Sequence, residues 1–63
     1  MKIDYLARVI ELNTYLDKRD DIPQQFKTHA RQLFHKALRQ NLTMKNKQWI
    51  TRQWKRLRAK LEA

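Results

Sequence analysis

Apolar positions along this chain recur every three or four residues and nowhere alternate strictly with polar ones, which predicts helices and no strands. Ile50, Trp54, Leu57 and Leu61 fall on one narrow helical stripe. Ile22, Phe26, Ala30, Leu33 and Ala37 form a second stripe, with Phe34 at its edge. The first segment is broader. Ile3, Leu6 and Ile10 lie on one side of a helix, and Tyr5, Val9, Leu12 and Leu16 lie on the adjoining side, so apolar groups cover about half the circumference. One neighbour does not bury so wide a face. The first helix is therefore expected to touch both other helices, or one of them and a second copy of the chain.

The breaks between helices are signalled by single residues. Pro23 suits the first turn of a helix, where its missing N–H costs nothing, and Asp20 and Asp21 just before it are N-cap candidates. In Asn41-Leu42-Thr43, Asn tolerates the left-handed backbone that ends a helix, and Thr43 can cap the next one. The expectation is an all-α fold: one small three-helix domain with short connections over residues 1–63, its helices spanning about 2–18, 23–40 and 44–62. Phe26, Leu33, Trp54 and Leu57 are expected to form a core shared by the second and third helices.

Composition narrows the chemistry. A chain of 63 residues hides only about 60% of its unfolded surface, so its core is small. It contains no Cys, no Gly and no Ser, which removes disulfides, thiolate nucleophiles, Cys-held metals, Gly-rich phosphate loops and the commonest hydroxyl nucleophile. His29 and His35 lie six residues apart, about 240° around a helix, and do not share a ligand on their own. The acidic residues are interleaved with Arg8, Lys18 and Arg19 as salt-bridge partners and capping groups. No enzyme, cofactor or metal is expected. The start of the chain lacks a continuous apolar run, so neither a secretory leader nor a membrane segment is expected, and a cytoplasmic location is.

Charge changes the picture most. Residues 1–21 hold four basic and five acidic side chains, a net of −1, whereas residues 22–63 hold eleven basic side chains and one acid, a net of +10. That density repels itself unless something acidic accepts it. The third helix is read as a nucleic-acid-binding element, with Lys45, Lys47, Arg52, Lys55, Arg56 and Arg58 neutralising phosphates. Gln48 and Arg52 near its start are suited to base edges, and Lys27, Arg31 and Arg39 of the second helix form the flank. Duplex DNA is slightly favoured over RNA, because a helix inserts readily in a major groove. Two blander readings compete: a solvated face, or an amphipathic helix on anionic lipid with Trp49 and Trp54 at the interface. Trp49 is expected at the edge of the core rather than stacked on a base.

The wide first helix supports a different function. Asn13 falls amid Leu6, Val9 and Leu16 in a pattern where one polar residue sets register and oligomeric state, or else it caps a loop or bonds a neighbouring backbone. Tyr5, Val9, Leu12, Asn13 and Leu16 are therefore a candidate partner interface, for a homodimer or for a larger protein. On that reading the chain is a small inhibitor or adaptor of the phage type, docking on an acidic protein surface.

Overall fold

The structure, a computed structural model, describes residues 4–62. Three helices follow one another: α1 (Tyr5–Asp17), α2 (Gln24–Leu38) and α3 (Met44–Glu62). Asp4 starts α1 by accepting the Ala7 N–H at 3.0 Å, a side-chain N-cap that trims the predicted start. The part of the prediction on residues 2 and 3 lies outside the described residues. The helix closes when the Lys18 and Arg19 N–H groups turn back onto the Tyr15 and Leu16 carbonyls, at 3.3 and 3.1 Å.

Neither Asp20 nor Asp21 caps α2. Arg19 takes Asp21 in a two-pronged pair, Nε to Oδ1 at 3.0 Å and an Nη to Oδ2 at 2.8 Å. That hydrogen bond holds the Asp21 carboxyl down to about 2 from its ordinary 3.8. With the folded value depressed, the contribution of the pair is fully present above the ordinary carboxylate range and disappears as pH falls through about 2. Pro23 itself is the N-cap, with an extended ψ of 140°, and its carbonyl accepts from the Phe26 and Lys27 N–H groups. It thus stands one position ahead of the first turn.

At the far end of α2 the left-handed residue is Gln40 (φ 55°), not Asn41. The Gln40 N–H bonds the Ala37 carbonyl at 3.0 Å and the Asn41 N–H bonds Lys36 at 2.8 Å, which together make a Schellman closure. The strain at Gln40, about 1–2 kcal/mol for a residue with a Cβ, is accepted where Leu42 must turn in against the core. Thr43 caps α3 as predicted: its Oγ1 accepts the Asn46 N–H at 3.1 Å, and Asn46 Oδ1 accepts the Thr43 N–H at 3.2 Å. This is a capping box with Asn in the place usually held by Glu or Gln.

The helices pack with α1 against both others. Arg8 meets Thr51 and Glu11 meets Trp54, each pair 43 residues apart, so α1 and α3 run in the same direction at constant offset. Asn13 meets Ala30, Asp17 meets Arg31 and Arg19 meets Lys27, so α2 runs antiparallel to α1. The result is an up–down–up bundle. Each helix gives one side chain to its central cluster of Val9, Leu33 and Ile50, all essentially inaccessible. Leu12 and Leu16 close on Ala30 in a second cluster. Leu33 therefore packs on Val9 and Ile50, whereas Trp54 lies on the α1 side of α3, which corrects the expected α2–α3 core. Leu61 stays exposed because α1 ends at Asp17, before it can cover that position at the same offset.

The predicted partner interface is corrected by the same packing. Val9, Leu12 and Leu16 are buried inside the chain and are not offered to another molecule, and Tyr5 is half-buried against the central cluster. Asn13 Nδ2 donates to the Val9 carbonyl at 2.8 Å and to the Ala30 carbonyl at 3.1 Å. It sets the register of α1 on α2 within one chain. Asn13→Ala should cost about 1 kcal/mol, since two donated bonds are lost while both acceptor carbonyls lie within helices. A thermal melt should show this as a fall in Tm of about 4–8 °C, the scaling for a domain of this size. An unchanged Tm would remove the cross-helix bond from the account.

Candidate nucleic-acid interface

With Ile50 and Leu57 of α3 turned into the core, helical geometry sends Lys45, Gln48, Arg52 and Lys55 to the far side and puts Arg56 at that face's border, and all five are exposed. From Lys45 to Arg56 the stripe runs about 16 Å at 1.5 Å per residue. Duplex DNA offers roughly one negative charge per 1.7 Å of axis over that length, far more than four cations need. Among the described residues, none of these five side chains forms an ion pair or an internal hydrogen bond.

The other predicted cations are placed differently. Lys47 lies with its Nζ 5.5 Å from the Tyr5 ring, and Arg58 pairs with Glu62 at 3.7 Å and sits 5.6 Å from the Trp54 ring. Both border the stripe on the side facing α1. Arg31 reaches Asp17 at 3.6 Å and Lys27 donates to the Arg19 carbonyl, so both are tied to the end of α1. The structure does not bring Lys27 and Arg31 into line with α3. Arg39 is exposed at the C-cap of α2, where its backbone N–H bonds the His35 carbonyl.

The acids are spent elsewhere. Asp4 caps α1, Glu11 accepts Trp54 Nε1 at 2.6 Å, and Asp17 and Asp21 hold arginines. Trp54 forms part of a polar seam between α1 and α3 that sequence reasoning missed: Arg8 stacks 4.3 Å from its ring and also donates to Thr51 Oγ1 at 3.2 Å. The available signal was the matched spacing, Arg8 and Glu11 three apart opposite Thr51 and Trp54 three apart.

Trp49 is half-buried at the core edge, 5.1 Å from the Phe26 ring and 4.6 Å from His29 in a T-shaped contact. It is engaged with α2 rather than presented to a ligand. His35 is exposed beside Phe34. Among the described residues no group of three His, Asp or Glu side chains is placed to hold a metal ion. No helix among them is long and apolar enough to cross a membrane.

In comparisons with known proteins, no family model, no curated sequence and no solved structure matches this chain. The functional reading therefore rests on the surface just described.

Proposed function

We propose that the protein is a non-catalytic nucleic-acid binder that docks the outer face of α3 on a phosphate backbone. Lys45, Arg52, Lys55 and Arg56 take phosphates, and Gln48 with Arg52 lies toward base edges at the start of the helix. The observation that carries this reading is the uncompensated stripe itself. Four cations share one exposed helix face with no acid among them, while Asp4, Glu11, Asp17 and Asp21 hold α1 and its end together and Glu62 pairs with Arg58 beside the stripe. An ordinary solvated face mixes signs to relieve self-repulsion, and this one does not. Duplex DNA is the favoured form, because a long helix exposed along one side suits the major groove. A function of this kind would be exercised in the cytoplasm.

Titration of labelled duplex DNA and structured RNA at two salt concentrations tests the proposal. Four phosphate contacts on a duplex should give a logarithmic salt slope of about −3.6. Binding no tighter than micromolar at low salt to either nucleic acid would end this reading.

The inhibitor or adaptor reading keeps one observation of its own. Ile10 and Leu61 are exposed (44% and 64%) beside a shallow apolar groove between α1 and α3, rimmed by Glu11, Lys18 and Arg58. Nuclease-resistant capture of a single protein, lost on Ile10→Asp, would transfer the function to that groove.

A further inference from the structure

Where the segment after α1 leads into α2, the three helices stand around a cavity of about 290 Å³. Leu12, Leu16 and Leu57 lie at its bottom, themselves nearly closed to water (2–4% exposed), so a ligand rests on them chiefly through the walls that stand around them. Its walls are the half-buried Tyr15, Ile22 and Phe26. At the mouth stand Gln53 and two cations of α3, Arg56 and Lys60, and no carboxylate lines the cavity. Outside the lining, the Asp21 carboxylate feels Lys60 and is held by Arg19.

We infer that this cavity binds a small amphipathic anion: a flat aromatic or short branched apolar body with a carboxylate or sulfonate at one end. The volume falls just under the roughly 300–1,000 Å³ typical of ligand sites, which fits one fused ring system and excludes a long acyl chain lying full length. Apolar walls from α1, the 18–23 segment, α2 and α3 take the body out of water. Arg56 and Lys60 then meet the headgroup at the mouth, where a charge-assisted bond forms in a partly desolvated setting. Neither cation has an ion-pair partner among the described residues that would compete. An uncharged ligand of the same shape would leave both cations unanswered, so the site discriminates by charge as well as shape. The site is distinct in chemistry from the phosphate stripe, although Arg56 borders both.

Anilinonaphthalene sulfonate is a suitable probe, because its fluorescence reports entry of its rings into an apolar site. The full chain should give a one-to-one saturable rise, displaced by naphthoate and not by uncharged naphthalenemethanol. Arg56→Gln with Lys60→Gln should weaken binding roughly tenfold or more, the loss of at least one charge-assisted contact. Lys36→Gln with Arg39→Gln removes the same charge from exposed positions elsewhere and should leave binding within about twofold. Ile22→Trp should fill the cavity and abolish the signal while the helical circular dichroism is retained. Equal weakening by the two charge pairs would show attraction to net charge alone and overturn the site. So would displacement by the uncharged analogue, absence of saturation, or normal binding by a folded Ile22→Trp. No nucleic acid is present in the assay, so its result is independent of the phosphate titration.

Discussion

Leu33→Ala should leave the chain largely unfolded at room temperature. Leu33 is 1% exposed and meets Val9 and Ile50 in the cluster to which every helix contributes one side chain. Truncating such a leucine costs about 2–5 kcal/mol, from lost transfer free energy and from the cavity left behind. A domain of this length has a total stability of about 3–9 kcal/mol at 0.05–0.15 kcal/mol per residue, so a loss at the middle of both ranges removes more than half of it. The secondary structure goes with it. Helices of 13, 15 and 19 residues are marginal in water when their apolar faces have nothing to cover. Far-ultraviolet circular dichroism should therefore lose most of its helical signal, with no cooperative melt remaining. Trp54→Phe makes the contrast: Trp54 is half-buried and its Nε1 bond runs to an exposed Glu11, so this change should shift Tm by only a few degrees. A wild-type melt from Leu33→Ala would show that the helices are assembled in some other way.

The three-helix pattern was legible because helical spacing and punctuation agree in this chain. The cap at Thr43, the break at Pro23 and the helical stripe of α3 each depend on a residue and its near neighbours; the first two appear in the structure, and of the stripe Ile50 and Leu57 are buried while Trp54 turns toward α1 and Leu61 stays exposed. What was not legible depends on partners distant in sequence. Asp21 looks like a cap until Arg19 claims it, and Gln40 takes the left-handed position because Leu42 must reach the core. The broad face of α1 reads equally well as two internal neighbours or as one neighbour plus another chain. Only the antiparallel contacts with α2 and the parallel contacts with α3 decide for the first. The candidate site divides along the same line. Lys45, Gln48, Arg52, Lys55 and Arg56 share a face by helical period alone, which a wheel predicts. Lys27 and Arg31 share only their sign of charge with them, and charge does not reveal that Arg19 and Asp17 hold them at the end of α1.

That division gives the functional proposal its sharpest consequence. Replacing Lys45, Arg52, Lys55 and Arg56 together by Gln should weaken duplex binding roughly 10³-fold at low salt and bring the salt slope from about −3.6 close to zero, because the counterions released by those contacts are no longer released. The fold should survive, since all four side chains are exposed and make no internal bond among the described residues. Removing four like charges from one helix face also lowers its self-repulsion, so the melting temperature should hold or rise. Four cations taken from a net charge of +9 leave +5, and that reduction by itself weakens any electrostatic binding. The control is therefore a second protein of net charge +5, with Lys18, Arg31, Lys36 and Arg39 replaced by Gln, all exposed and none on α3. If the stripe is the contact surface, the control should keep most of its affinity and most of its slope, while the α3 variant loses both. Equal losses would show binding to the net charge of the protein rather than to a face. Gln48→Ala adds the last distinction: with every phosphate contact intact the salt slope should not change, while discrimination among duplex sequences should fall by about 1–3 kcal/mol if that side chain reads a base edge.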